Sequence, residues 1–175
     1  MRYLLEETPE DPWLSSAYAV VKYVLEHSDR FVVPELCRDV RDTLEEDASD
    51  WIEGEDEALD VLKGMGFGTD VRLIDEPEME EEKALAESVP EFRALVVEGC
   101  KVCELGPRDV KHPVCMLEGA MAAGIISAAV GESLEAVEYL CKGADGVDSC
   151  RYLLYPLGKH GEYHPAVVEF RRSLR

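Results

Sequence analysis

The chain has 175 residues, enough for one domain with a full core, and 46% of them are apolar. Its 38 acidic residues against 18 basic ones leave a formal charge of −20, which excludes binding phosphate-rich nucleic acid or an anionic membrane over a broad face. Glu6, Glu7, Glu10 and Asp11 follow directly on Met1–Leu5, so no apolar signal core is present, and the uncharged run 119–131 is shorter than a membrane span; a soluble cytoplasmic protein is expected.

Asp11-Pro12 opens a predicted helix, with Asp11 as cap, Pro12 at the first helical position, and Leu14, Tyr18, Val21 and Leu25 at helical spacing. A second helix starts at Pro34 and carries Leu36, Cys37, Val40, Leu44 and Ala48 as one stripe, which makes Cys37 a core thiol. An acidic joint at 53–57 precedes a third helix with Ala58, Leu59, Leu62 and Met65 inward, closed by Gly66 as a left-handed cap. Val71–Ile74 reads as a strand, 77–87 as a solvated charged insertion with a short helix, and Phe92–Cys100 as a second, β-branched strand.

Beyond a turn at Gly106-Pro107, the helix from His112-Pro113 carries only one charge, Glu118, between Cys115 and Val130, and is read as buried on all sides. Gly119, Ala120, Ala123 and Gly124 would let another element approach its backbone. Glu135–Cys141 and Cys150–Tyr155 are predicted strands around the turn 142–149, and 165–174 is a short terminal helix. The fold class is therefore α+β: N-terminal helices, then a small antiparallel sheet with a buried helix in the order β-β-α-β-β. Residues 1–54 form a helical segment, part of the same unit or a dimerisation element, and 55–175 form the domain proper.

Six cysteines in a reducing compartment suggest metal binding or burial more than disulfides. Structural zinc takes four thiolate, imidazole or carboxylate ligands in a tetrahedron. Cys141 and Cys150 flank a turn containing Gly143, Asp145 and Gly146, which can return the second thiolate to the first, and Cys115 offers a third. Glu138 extends the pattern to C-x22-E-x2-C-x8-C. Residues three apart on a regular strand face opposite ways, so Glu138 and Cys141 can share an ion only if the strand bulges or ends near Leu140.

Cys100-x2-Cys103 is structural or incidental, or, with His112 and Cys115, a rival metal set, or a redox pair, although it follows a strand and precedes a loop rather than opening a helix. His27, His160 and His164 are expected in solvent. Gly64–Gly68 ends a helix instead of opening one and is no dinucleotide fingerprint. Met65, Phe67, Leu117, Met121, Ile125, Tyr139 and Tyr152 are candidates for an apolar pocket wall or for plain core.

The chain also resembles the 4-vinyl-reductase-like, or hydrocarbon-binding, domain family. The residues that carry the resemblance are Gly66-Phe67-Gly68, Pro113-Val114-Cys115, Gly119-Ala120-x-x-Ala123-Gly124, Glu138-x-x-Cys141-x-Gly143 and Cys150-Arg151-Tyr152, within roughly 55–156. The same domain is the sensor of phenol- and toluene-responsive transcription activators. The resemblance implies a structural zinc on three cysteines and a glutamate, here Cys115, Glu138, Cys141 and Cys150, although the turn between the last two is longer by a residue.

It further implies a pocket for a hydrophobic small molecule near the zinc, a homodimer, and a fold related to haem-NO-binding and vesicle-tethering subunits. The function expected is sensing or carrying a hydrophobic or aromatic ligand without catalysis. Alternatives are reduction of a vinyl group on a tetrapyrrole-like substrate, as linked to some members, and a structural tethering role.

Overall fold

The structure, a computed structural model, describes residues 32–105, 115–158 and 164–174. The helix expected from Asp11, the turn at Gly106-Pro107, and His27, His112 and His160 lie outside these residues. The described helices are α1 (Val32–Ala48), α2 (Glu55–Gly64), α3 (Glu80–Ser88), α4 (Lys101–Leu105), α5 (Met116–Val130), α6 (Lys142–Asp145) and α7 (Pro165–Ser173). The strands are β1 (Asp70–Ile74), β2 (Ala94–Glu98), β3 (Leu134–Leu140) and β4 (Ser149–Pro156), in the antiparallel order β1-β2-β4-β3. This is the mixed architecture read from the sequence: helices first, then a small sheet with helices packed on it.

Both faces of the sheet are covered, which explains why β4 is apolar with little alternation. Leu95, Val97, Tyr152 and Leu154 face a core that includes Leu62 of α2 and Ile125 and Ile126 of α5. Ala94, Leu153, Tyr155 and Tyr139 face a second core, with Leu85 of α3 and Val167 and Phe170 of α7. Each buried Leu or Ile of this kind contributes about 1.5–3 kcal/mol. Glycine closes α2 as expected: Gly66 lies at φ 82°, its N–H donates to the Lys63 carbonyl, and the Phe67 N–H donates to the Leu62 carbonyl.

The helix α5 lies against α1, and Gly124 sets their approach. A Cβ at Gly124 would stand 2.5 Å from the Arg41 carbonyl oxygen and 3.0 Å from Leu44 Cβ. Gly124→Ala is therefore expected to destabilise the protein by roughly 1–3 kcal/mol through overpacking, against a helix-propensity gain of about 1 kcal/mol. A lower midpoint of urea unfolding checks this.

Three sequence expectations are corrected. The charged segment 77–87 is not a solvated excursion, because α3 buries Leu85 and Glu82, the latter completely. Glu82 is held there by Arg151 and Tyr139 from the sheet. His164 is not in solvent either: it is 5% exposed, packs edge-on to Tyr155, and caps α7 by accepting the Ala166 N–H at Nδ1. Cys37 is half-buried rather than core. Among the described residues, no helix is long and apolar enough to cross a membrane.

Candidate metal centre

Three separate pieces of local structure bring sulfur to one point. At the first, β3 pairs Glu138 with Tyr152 and then Leu140 with Arg151, so two β3 residues oppose one on β4. This bulge interrupts the alternation. Tyr139 and Leu140 both join the core beneath α3 and α7, while Cys141 joins the core beneath α5, where Tyr152 also lies. Glu138 and Cys141 thus reach the same side, the condition their spacing demanded.

At the second, α6 makes one helical turn and Gly146 reverses it at φ 72°. The Cys141 N–H donates to Asp145 Oδ2 at 2.8 Å, and Arg171 pairs with the same carboxylate at 2.9 Å. The chain re-enters as β4 with Cys150, whose Sγ accepts the Lys142 N–H at 3.4 Å.

At the third, Gly99 turns the chain out of β2 at φ 61°, where a Cβ would meet Thr69 Oγ1 at 2.6 Å. Cys100 follows, and α4 then carries Cys103. The pair therefore opens a short helix, with Cys100 immediately before it and Cys103 within it, and does not precede a loop as expected from the sequence. Cys115 stands immediately before α5.

Five thiols result, all buried except the half-buried Cys103. Cys103 Sγ lies 3.4 Å from Cys115, 3.6 Å from Cys141 and 3.3 Å from Cys150. Cys100 Sγ lies 3.8 Å from Cys115 and 3.3 Å from Glu118 Oε2, which also accepts the Tyr152 hydroxyl at 3.1 Å. Two overlapping sets, Cys100/Cys103/Cys115/Cys150 and Cys115/Glu138/Cys141/Cys150, each keep their donor atoms within 4.8 Å of one another. The motif treated in the sequence as a rival and the C-terminal set are one cluster. His112, the remaining member of the rival, lies outside the described residues.

The electrostatics suit a cation. Burial pushes the Glu118 carboxyl up to about 8, against the hydrogen bonds from Cys100 and Tyr152. Burial, then the charge at Cys141, drives Glu138 well above the usual carboxylate range. Hydrogen bonds from Cys103 and then Cys115 hold Cys100 far below the ordinary thiol value, and the reciprocal bonds to Cys100 and Cys103 push Cys115 up. A bound cation reverses this logic by favouring the thiolate and carboxylate forms together.

Glu138 gives a specific sign of fit. Its Oε2 accepts the Cys115 N–H at 3.3 Å, but its buried Oε1 has no hydrogen-bond partner. An unpaired buried carboxylate oxygen is costly, and a metal ion within its reach would satisfy it.

Of the candidate pocket residues, Met65 and Ile125 line one cleft together with Leu44, Asp47, Ala48, Trp51, Val61 and Gly64. Its volume is about 380 Å³. Phe67, Tyr139 and Tyr152 are core residues; Leu117 and Met121 are half-buried on α5 and are not among the lining residues. The sequence missed Trp51 and Leu44 as cleft walls, although Leu44 on the apolar stripe of α1 was a visible signal.

No family model and no curated protein matches the sequence. Solved structures share the fold. A vinyl-4-reductase family protein from Methanocaldococcus jannaschii aligns at TM-score 0.51 and 15% identity, covering 87% of this chain and 85% of that one. The phenol-responsive sensory domain of the transcription activator PoxR, solved with phenol, aligns at TM-score 0.56 and 17% identity, covering 91% of this chain and 79% of that one. At these identities the likeness is one of fold.

Proposed function

We propose that this chain, built on the fold of a phenol-responsive sensory domain, is a small-molecule-binding module stapled by zinc. The ligand is hydrophobic or aromatic, and the protein senses or carries it without transforming it. The observation that carries this reading is the apolar cleft between α1, α2 and α5. Its volume of about 380 Å³ is within the range of small-molecule sites, and Leu44, Val61, Met65 and Ile125 give it apolar walls. Asp47 is the one charged side chain among the described lining residues and could accept a ligand hydroxyl. Trp51, half exposed at 51%, is a wall that can close over an aromatic ring.

The zinc is structural in this reading. Cys115, Cys141 and Cys150 supply three thiolates, and Glu138 and Cys103 both stand within reach of the fourth position. The ion would tie the start of α5 to the ends of β3 and β4. Ile125 lies on the same helix as the Cys115 junction, ten residues further along, or roughly 15 Å at the helical rise. The staple would hold the helix that walls the cleft, without touching the ligand.

Titrating phenol, and separately toluene, into the protein tests the cleft. Saturable change in tryptophan emission, absent in Trp51→Phe, is the expected result. Met65→Trp, which fills the cleft from its wall, should weaken binding at least tenfold, a loss of about 1.4 kcal/mol. Calorimetry that detects no binding of either probe, or binding that Met65→Trp leaves unchanged, would contradict this site.

A further inference from the structure

We infer that Cys103, not Glu138, is the fourth zinc ligand, so that the centre is an all-thiolate site of Cys103, Cys115, Cys141 and Cys150. This rests on the reading that the cluster holds a metal, and it departs from the ligand set that the sequence resemblance implies.

The distances carry it. Zinc–sulfur bonds of about 2.3 Å in a tetrahedron place the sulfurs about 3.8 Å apart. Cys103 Sγ lies 3.4, 3.6 and 3.3 Å from the sulfurs of Cys115, Cys141 and Cys150. Those three lie within 4.8 Å of one another. The three distances from Cys103 are therefore within about half an ångström of the tetrahedral spacing, and the other three sulfurs are gathered on the same point. Thiolate is also the softer donor, which zinc takes readily in closed structural sites.

The other two claimants have different attachments. Cys100 Sγ lies beside Glu118 Oε2 at 3.3 Å, on the side of the cluster away from Cys141, and that carboxylate accepts the Tyr152 hydroxyl. Glu138 receives the Cys115 N–H at Oε2, so its carboxylate orients the backbone of a ligand residue. Oε1 is the remaining competitor for the metal, and the experiment below separates the two.

The closeness of Cys103 and Cys141 also argues for a single ion. In a pair of ions bridged by Cys115 and Cys150, Cys103 and Cys141 would be terminal ligands on different ions and would stand well apart, not at 3.6 Å. With Cys103 included, one ion would join four elements: α4, the start of α5, the end of β3 and β4.

X-ray absorption at the zinc edge, on the full chain purified without added metal, tests the assignment, with metal content from native mass spectrometry. The expected result is one zinc per chain with four sulfur neighbours at about 2.3 Å. Glu138→Gln should keep that shell, and Cys103→Ser should replace one sulfur with a lighter atom or lose the ion. Three sulfurs and one oxygen at about 2.0 Å in the unaltered protein would overturn the proposal while leaving the metal reading standing. Two ions per chain would also overturn it. Protein that takes up no zinc at all, even when supplied with it under reducing conditions, overturns the metal reading itself and this assignment with it. The spectrum of the unaltered protein decides between a fourth thiolate and Glu138 even if Cys103→Ser does not fold, and Cys100→Ser, which should keep all four sulfurs, separates the proposed set from the one containing Cys100.

Discussion

Replacing Cys115 with serine is expected to remove the metal and to lower stability by about 4 kcal/mol, the scale on which loss of a structural metal acts. For a chain of this size that is a fall in melting temperature of about 10 °C. Cys115 belongs to both overlapping donor sets, so no rearrangement among the remaining thiols restores the same centre. Its side chain is 1% exposed at the entrance to α5, and loosening it frees the helix that packs on α1 and walls the cleft. A serine hydroxyl at a buried site adds its own desolvation cost. The comparison must therefore be made twice, with metal present and after removal by chelator under reducing conditions. Most of the difference between variant and unaltered protein should vanish without metal. A difference that persists in full would assign the effect to packing.

Glu82→Ala should cost about 3–5 kcal/mol, although residue 82 closes a run of three glutamates that looks like solvated surface. Glu82 is completely buried. Its Oε1 accepts the Tyr139 hydroxyl at 2.6 Å and Arg151 Nη1 at 2.7 Å, and its Oε2 accepts the backbone N–H groups of Glu78 and Met79 at 2.9 and 3.1 Å. Truncation leaves a guanidinium that is 6% exposed and a buried phenol without their main acceptor. The loss of a pair differs from the loss of one partner: Arg151→Met in the Glu82→Ala background should cost much less than in the parent. Denaturant midpoints of the two single variants and the double variant check this, and simple additivity would contradict the account. Cys150 immediately precedes Arg151 on β4 and faces the other way, so the ionic cluster and the thiol cluster occupy opposite faces of that strand.

The helices and strands were legible where pattern and packing agree. The apolar stripe of α1, the all-apolar α5 and the β-branched β2 each announce the face they bury. Cys115, Cys141 and Cys150 were legible because a short glycine-containing turn brings distant thiols together. The bulge was legible as a requirement, since Glu138 and Cys141 cannot share a face on a regular strand, and the register shift between Glu138 and Leu140 supplies it.

For other features the local signal was incomplete or absent: the Cys100-x2-Cys103 spacing marked a metal set but not its union with the C-terminal one. Cys103 joins the cluster only because the five-residue α4 folds back from the end of β2, a tertiary placement that spacing does not encode. Glu82 finds Arg151 across 69 positions of sequence, and until that partner is known an acidic run reads as a wet face. His164 likewise looks like loop polarity until Tyr155 and the first turn of α7 surround it. In each case the deciding contact is long-range, and a buried polar residue with a distant partner is indistinguishable in sequence from an exposed one.

The central claim is that the gathered thiols hold a metal that staples the fold. Elemental analysis of protein purified without added metal, paired with a thiol-reactivity count under native conditions, tests it most directly. The account predicts about one zinc per chain, with the centre's cysteines protected until a chelator is added. Less than about half an equivalent of any metal, with those thiols titrating freely, would contradict it.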